Sequence, residues 1–370
     1  MSQHPLIEKS NDREVKQATG FKQAAASLKG EELAELYERE HANAPKRVDA
    51  GKKYFVSHNT KLASARRPGR DGEHASIALV QYCRASGGGV AIPENVLSED
   101  TPEAMLRFVH PLVPLRSAQP DKALGADDPN YGIDRIDLVG VAPGDRLAVV
   151  SVRFLAPDVK RVGVGDTPLR ALLQGLANCA IASANLDTLK VEIASAGGGA
   201  VVDEPPILVL LGSPRYWELC RKREAQKGAV WIRELQRLAT EIERDIGVTV
   251  MYLGLQLEGN PGFSYPEDSP QLDAPPRLAV AWERNAGRVK PKAKPRARKQ
   301  DPANVIIEPD MSRPIRRYAI SDTFQAGDRI DHPTLGSGVV QGEAGHGKIN
   351  VLFGEKKSLL VHERGASPPA

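Results

Sequence analysis

The densest chemistry in this 370-residue chain is positive charge. The run Arg288 to Lys299 reads Arg-Val-Lys-Pro-Lys-Ala-Lys-Pro-Arg-Ala-Arg-Lys, seven cations and two prolines with no acid. A lysine or arginine placed near a phosphate releases condensed counterions. Arg288, Lys290, Lys292, Lys294, Arg296, Arg298 and Lys299 are therefore candidates for contact with a DNA backbone. The competing reading is a solubilising spacer, because the run cannot build a core and its prolines favour an extended chain. The whole chain carries only +3, so any affinity for a polyanion has to come from such local clustering.

The other reactive side chains do not gather in the sequence. Cys83, Cys179 and Cys220 are far apart and fit no C-x-x-C spacing, so they read as buried small apolar residues. The eight histidines follow neither H-x-x-x-H nor H-E-x-x-H. Gly342 to Lys348 spells G-x-x-x-x-G-K, but Ile349 stands where Ser or Thr would bind Mg²⁺. The run also lies between two strand-like segments, whereas a phosphate loop leads into a helix. It reads as a hairpin turn. Structural zinc, nucleotide hydrolysis and serine hydrolase chemistry are all unsupported.

The elements that must position any site follow from periodicity. Glu73 to Arg84 reads as a helix that stops at Gly87-Gly88-Gly89, and Phe108 to Leu115 as an extended segment. Ile136 to Val141 and Arg146 to Phe154 form a hairpin across Ala142-Pro143-Gly144-Asp145. The clearest helix begins at Pro168 behind a capping Thr167, with Leu169, Leu172, Leu173, Leu176, Ala180 and Ile181 on one face. Leu189 to Ser195 and Ile207 to Gly212 read as strands, Pro214 to Asp245 as two helices, and Val248 to Leu255 and Leu278 to Trp282 as strands. Residues 1–50 read as a loosely attached, partly helical arm with one exposed amphipathic helix over Glu31 to Glu40. The domain boundaries follow: 51–285 an α/β domain, 286–317 a basic Pro-containing linker, 318–364 a small all-β barrel, and 365–370 a disordered tail. No apolar run approaches the roughly 20 residues needed to cross a bilayer. No secretory signal is readable, so a cytoplasmic location is expected.

The order helix, strand, hairpin, helix, strand, with Asp137 on the first hairpin strand, resembles the core of the PD-(D/E)XK nuclease superfamily over about residues 70–195. The resemblance implies a restriction-endonuclease-like α/β fold, a central mixed sheet flanked by helices. It also places Glu73, Asp137, Ser151, Arg153 and Gln174 at the catalytic positions, with Asp137 and Glu73 as metal ligands. In that family carboxylates hold Mg²⁺ beside the scissile phosphate and a lysine helps activate water. Here the E-x-K pair reads Ser151-Val152-Arg153. Ser151 supplies no negative charge, Arg153 is no tunable base, and Pro168 to Asn185 contains no acid that could compensate.

Phe324 to Val340, Lys348 to Phe353 and Ser358 to His362 resemble the Tudor-like barrel that ends bacterial repair helicases. Gly336 and Gly338 would serve sharp turns and close packing there, and the resemblance implies a docking module. Together these features lead to the expectation of a nucleic-acid-associated protein with an eroded nuclease-like domain. One alternative is an active Mg²⁺-dependent DNA nuclease that draws its missing acid from Asp134 or Glu192. The other is an adaptor that grips a polymerase or helicase without touching DNA.

Replacing Lys290, Lys292, Lys294, Arg296, Arg298 and Lys299 by Gln is expected to remove most non-specific duplex affinity. Fluorescence anisotropy across a salt series should give the intact chain a log–log slope of about −4 to −5, if four to six cations each engage one phosphate. Unchanged affinity and slope in the replaced protein would make the run a spacer.

Overall fold

The computed structural model describes residues 3–56, 65–67, 69–96, 104–163, 165–221, 230–282 and 306–363. It divides into two units, Met1–Ala286 and Gly287–Ala370. The basic run 288–299 and the tail 365–370 lie outside the described residues. Among the described residues no helix is long and apolar enough to cross a membrane.

The first unit is built on a seven-stranded mixed sheet. Its strands are β1 (Val90–Ala91), β2 (Met105–Pro114), β3 (Arg135–Ala142), β4 (Arg146–Arg153), β5 (Ile207–Gly212), β6 (Thr249–Gln256) and β9 (Arg277–Val280), in that spatial order. β7 (Phe263–Ser264) and β8 (Gln271–Leu272) form a separate small hairpin. The run β2-β3-β4 is antiparallel, β4-β5-β6 is parallel, and β9 closes the edge antiparallel to β6. Each parallel step needs a crossover. Between β4 and β5 it is made by α6 (Pro168–Ser183) and α7 (Leu186–Ser195), and between β5 and β6 by α8 (Pro214–Arg221) and α9 (Val230–Ile246). β5 is buried at every position, as a strand covered on both faces must be.

Along β4 the pleat sends Leu147 and Val149 into one core and Ala148, Val150 and Val152 into the other. The second of these cores lies beneath α5 (Asp71–Ser86) and the β7–β8 hairpin. The first lies beneath α6, where the Thr167 hydroxyl accepts the Arg170 amide at 3.2 Å and Pro168 opens the helix. α6 sits so close to the sheet that a Cβ on Gly175 would stand 2.5 Å from Leu208.

Two sequence expectations are corrected here. Leu189 to Ser195 is the helix α7 and not a strand. Leu, Val and Ile alternate with polar residues there, which imitates a strand, yet Leu189 and Ile193 are buried four residues apart while Val191 is 67% exposed. Nor are residues 1–50 a loose arm. Helices α1 (Pro5–Ser10), α2 (Arg13–Lys16), α3 (Gly20–Ser27) and α4 (Gly30–Ala42) send Leu6, Val15, Phe21, Leu33 and Tyr37 into the core shared with α6 and α9. α1 to α3 are too short to show a stripe of their own, and the apolar face of α4, expected to be exposed, is buried through Leu33 and Tyr37.

This cover is fastened by a buried ion pair. His4 Nδ1 lies 2.7 Å from Glu40 Oε1 and Nε2 lies 2.8 Å from the Pro129 carbonyl, with His4 and Glu40 only 1% and 0% exposed. The second Glu40 oxygen accepts the Leu6 amide at 3.0 Å. Both ring nitrogens face acceptors, an arrangement that favours the doubly protonated, cationic ring. Burial lowers the pKa of His4, but the hydrogen bond and charge of Glu40 and the Pro129 carbonyl outweigh it and the net shift is upward.

The second unit is a five-stranded sheet in the order β10 (Arg316–Arg317), β11 (Arg329–His332), β12 (Gly336–Gly345), β13 (Lys348–Phe353) and β14 (Lys356–Val361). It is antiparallel throughout except for β10 beside β11. Phe324, Ile330, Val340, Ile349 and Val351 form its core. Gly336 turns at φ +79°, and a Cβ on Gly338 would stand 2.6 Å from the Phe353 ring. The G-x-x-x-x-G-K run spans the β12–β13 hairpin. The linker expected to reach residue 317 is shorter. Gln341 brackets Ile307 with two hydrogen bonds, the Asp310 amide donates to the Gly327 carbonyl, and Arg313 pairs with Asp328, so the unit is already folded from about residue 306.

The raised His4 value sets the sign of a pH effect. A pKa above the unfolded value of about 6.5 contributes stability that is complete below that value and lost as pH rises through the folded one. The unfolding midpoint of the intact chain is expected to fall with rising pH in this window. His4→Gln should lie below it at acid pH and converge with it at alkaline pH, read by thermal denaturation in matched buffers.

Candidate functional site

Antiparallel pairing of β3 and β4 sets Leu138 opposite Val150, which brings Asp137 and Arg153 to the same end of the sheet. That end is also the carboxyl end of the parallel strands β4 and β5, where open α/β sheets form their clefts. Asp137 Oδ2 accepts the Val152 amide at 2.8 Å and lies 3.5 Å from Arg153 Nη1. Arg153 Nε is 2.8 Å from Asp166 Oδ1, and its Nη2 donates to Gln174 Oε1 at 3.1 Å. One guanidinium thus joins β3, the residue two positions ahead of α6, and α6 itself. Arg170 stands nearby, its Nη1 on the Gly165 carbonyl and its Nη2 on Asn11 Oδ1, both at 3.3 Å.

The electrostatics follow from shared burial. Burial pushes Asp137 above the ordinary carboxylate range, opposed by the Arg153 charge and the Val152 amide. Asp166 is raised for the same reason, against the pull of Arg153 and Arg170. Arg153 loses by burial, but the two carboxylates more than restore it and its net shift is upward. Arg170 is lowered by burial and by the like charge of Arg153. Arg153 is therefore permanently cationic and cannot accept a proton from water.

Of the residues the resemblance placed at the site, the fold brings Asp137, Arg153 and Gln174 together. Ser151 precedes Arg153 by two positions, is buried, and adds no charge. Glu73, in the first turn of α5, takes other partners: Oε1 lies 2.8 Å from Arg135 Nη2 and Oε2 lies 3.5 Å from Arg70 Nη1. Asp166 is the member that sequence reasoning missed. α6 itself carries no acid from Pro168 onward, and Asp166 stands two residues earlier, in the capping segment Gly165-Asp166-Thr167. Glu192 serves α7, accepting the Tyr54 and Phe55 amides at 3.0 and 2.5 Å. Asp134 is 83% exposed and pairs with Arg116 at 3.8 Å.

These residues do not fit Mg²⁺. A hard divalent ion needs several oxygens with open lone pairs. Asp137, Asp166 and Gln174 each turn an oxygen to Arg153, so an incoming ion would lie against the guanidinium and be repelled by its charge. Among the described residues no group of three or more His, Cys, Asp or Glu is arranged to hold a metal. A groove of about 590 Å³ lies beside α7, lined by Lys53, Phe55, His110, Asp187, Val191 and Glu192, and none of the Asp137 cluster takes part in it. No family model, curated protein or solved structure matches the chain.

Arg153→Met strands two carboxylates that face one another across the lost cation. It is expected to cost about 3 kcal/mol of stability, read by denaturant unfolding near neutral pH. Adding Asp166→Asn removes one stranded charge and should recover part of that loss. Additive losses in the double variant would mean that the three side chains are not coupled.

Proposed function

We propose that the chain is a nucleic-acid-associated protein whose α/β unit has a nuclease-like arrangement without cleavage chemistry. The order α5, β2, the β3–β4 hairpin, α6 and then β5 supports the comparison with the PD-(D/E)XK core. The observation that carries the non-cleaving reading is the Arg153 guanidinium set among Asp137, Asp166 and Gln174. It stands where cleavage chemistry would require a divalent cation and a titratable lysine. The basic run 288–299 supports a polyanion partner. The small C-terminal sheet, with its resemblance to a Tudor-like barrel, supports a docking role toward a protein such as a polymerase or helicase.

In this reading the α/β unit binds and positions, and it neither holds a metal nor generates hydroxide. Purified protein is expected to leave linear and supercoiled DNA intact with Mg²⁺ or Mn²⁺. Its duplex affinity should not change on addition of a chelator. Cleavage that disappears in Asp137→Ala would overturn the proposal.

A further inference from the structure

Glu73 is where the nuclease comparison expects a metal ligand, and in this fold its two oxygens face two different arginines. Arg135 opens β3, two residues before Asp137, and its Nη2 lies 2.8 Å from Oε1. Arg70 sits at the N-cap of α5, and its Nη1 lies 3.5 Å from Oε2. One negative charge thus serves two positive ones and leaves an excess of one. The neighbouring pairs, Arg66 with Asp71 and Arg116 with Asp134, are matched one to one. Arg135 and Arg70 are 35% and 45% open to solvent, so the Glu73 contact steadies them without burying them.

The geometry points to Glu73 as the brace of an arginine clamp, Arg70–Glu73–Arg135, that grips the phosphates of a nucleic-acid strand beside the Asp137 cluster. This assignment rests on the nucleic-acid reading above and adds to it a contact surface within the folded unit. Three considerations support a phosphodiester backbone as the occupant. A guanidinium offers five N–H donors in a planar fork suited to phosphate oxygens, and each of these meets Glu73 through one terminal nitrogen. A side chain already held in place loses less freedom on binding than a mobile one. The sequence leading into α5 is also strongly basic, with eight Lys or Arg between residues 46 and 70 against the single acid Asp49. Positive charge of this kind attracts a chain of phosphates and repels a divalent cation.

The brace and a simple charge count make opposite predictions for Glu73→Ala. Removing the acid raises the net charge of the protein by one, which by charge alone tightens DNA binding. If Glu73 positions the arginines, binding weakens despite the added charge. The measurement is fluorescence anisotropy of the full chain with a short labelled duplex over a salt series, with circular dichroism and thermal melting to compare the folding of the variants. Arg70→Gln and Arg135→Gln are each expected to weaken binding and to flatten the salt slope by about 0.9, the share of one phosphate. Glu73→Gln, which keeps one acceptor oxygen, should fall between Glu73→Ala and the intact chain. Tighter binding by Glu73→Ala would overturn the brace. If both arginine variants keep the parental affinity and slope while the 288–299 replacements abolish binding, the clamp is overturned and the nucleic-acid reading stands. If the intact chain shows no salt-dependent binding to duplex, the functional reading falls and the clamp falls with it.

Discussion

A strand hydrogen-bonded in parallel on both sides has to be covered on both faces, and β5 imposes this requirement on the first unit. Its six residues, Ile207 to Gly212, are all buried. α5 and the β7–β8 hairpin roof one face, while α6 and α9 roof the other. α1 to α4 pack on the outer side of α6 and α9 and share the core those helices form. The short N-terminal helices are thus held by helices more than 100 residues further along the chain.

The same requirement shapes the Asp137 cluster. Where β3 and β4 reach the edge of the covered region, polar side chains face a partly desolvated space, and an isolated charge there is expensive. Asp137, Asp166 and Gln174 answer this by gathering around Arg153. The Arg153 charge offsets one of the two carboxylates, and Arg170 stands close enough to act on Asp166, which weakens the attraction of an external cation. Outside the cluster, Glu73 serves two exposed arginines. The carboxylates near this end of the sheet are accordingly paired with guanidinium groups.

Local signals were legible in the sequence, and relations between distant segments were not. α6 announced itself through Thr167, Pro168 and a leucine stripe, and the β3–β4 hairpin through Pro143-Gly144, because each of these acts within a few residues. Asp137, Arg153 and Gln174 were picked out by resemblance and do meet. α7 was misread because Leu189, Val191 and Ile193 alternate like a strand, and only burial shows that Val191 is the exposed member. Asp166 was passed over because it lies just ahead of its helix. Glu73 was assigned the wrong partner because Arg70 and Arg135 approach it from two elements whose meeting no spacing reveals. The N-terminal helices looked detached because Glu40 reads as a surface acid until His4 is seen beside it.

The packing of the N-terminal helices on α6 and α9 has a consequence for how the protein comes into being. Residues 5–42 leave the ribosome well before α6 and α9, the surfaces on which Leu6, Phe21 and Leu33 are buried. At about 5–20 residues per second of synthesis, these apolar side chains remain without their partners for many seconds. The contacts that finally enclose them are long in sequence separation, which slows their formation further. The nascent N-terminal segment is therefore the part of this chain most exposed to chaperones and to self-association before the fold closes over it.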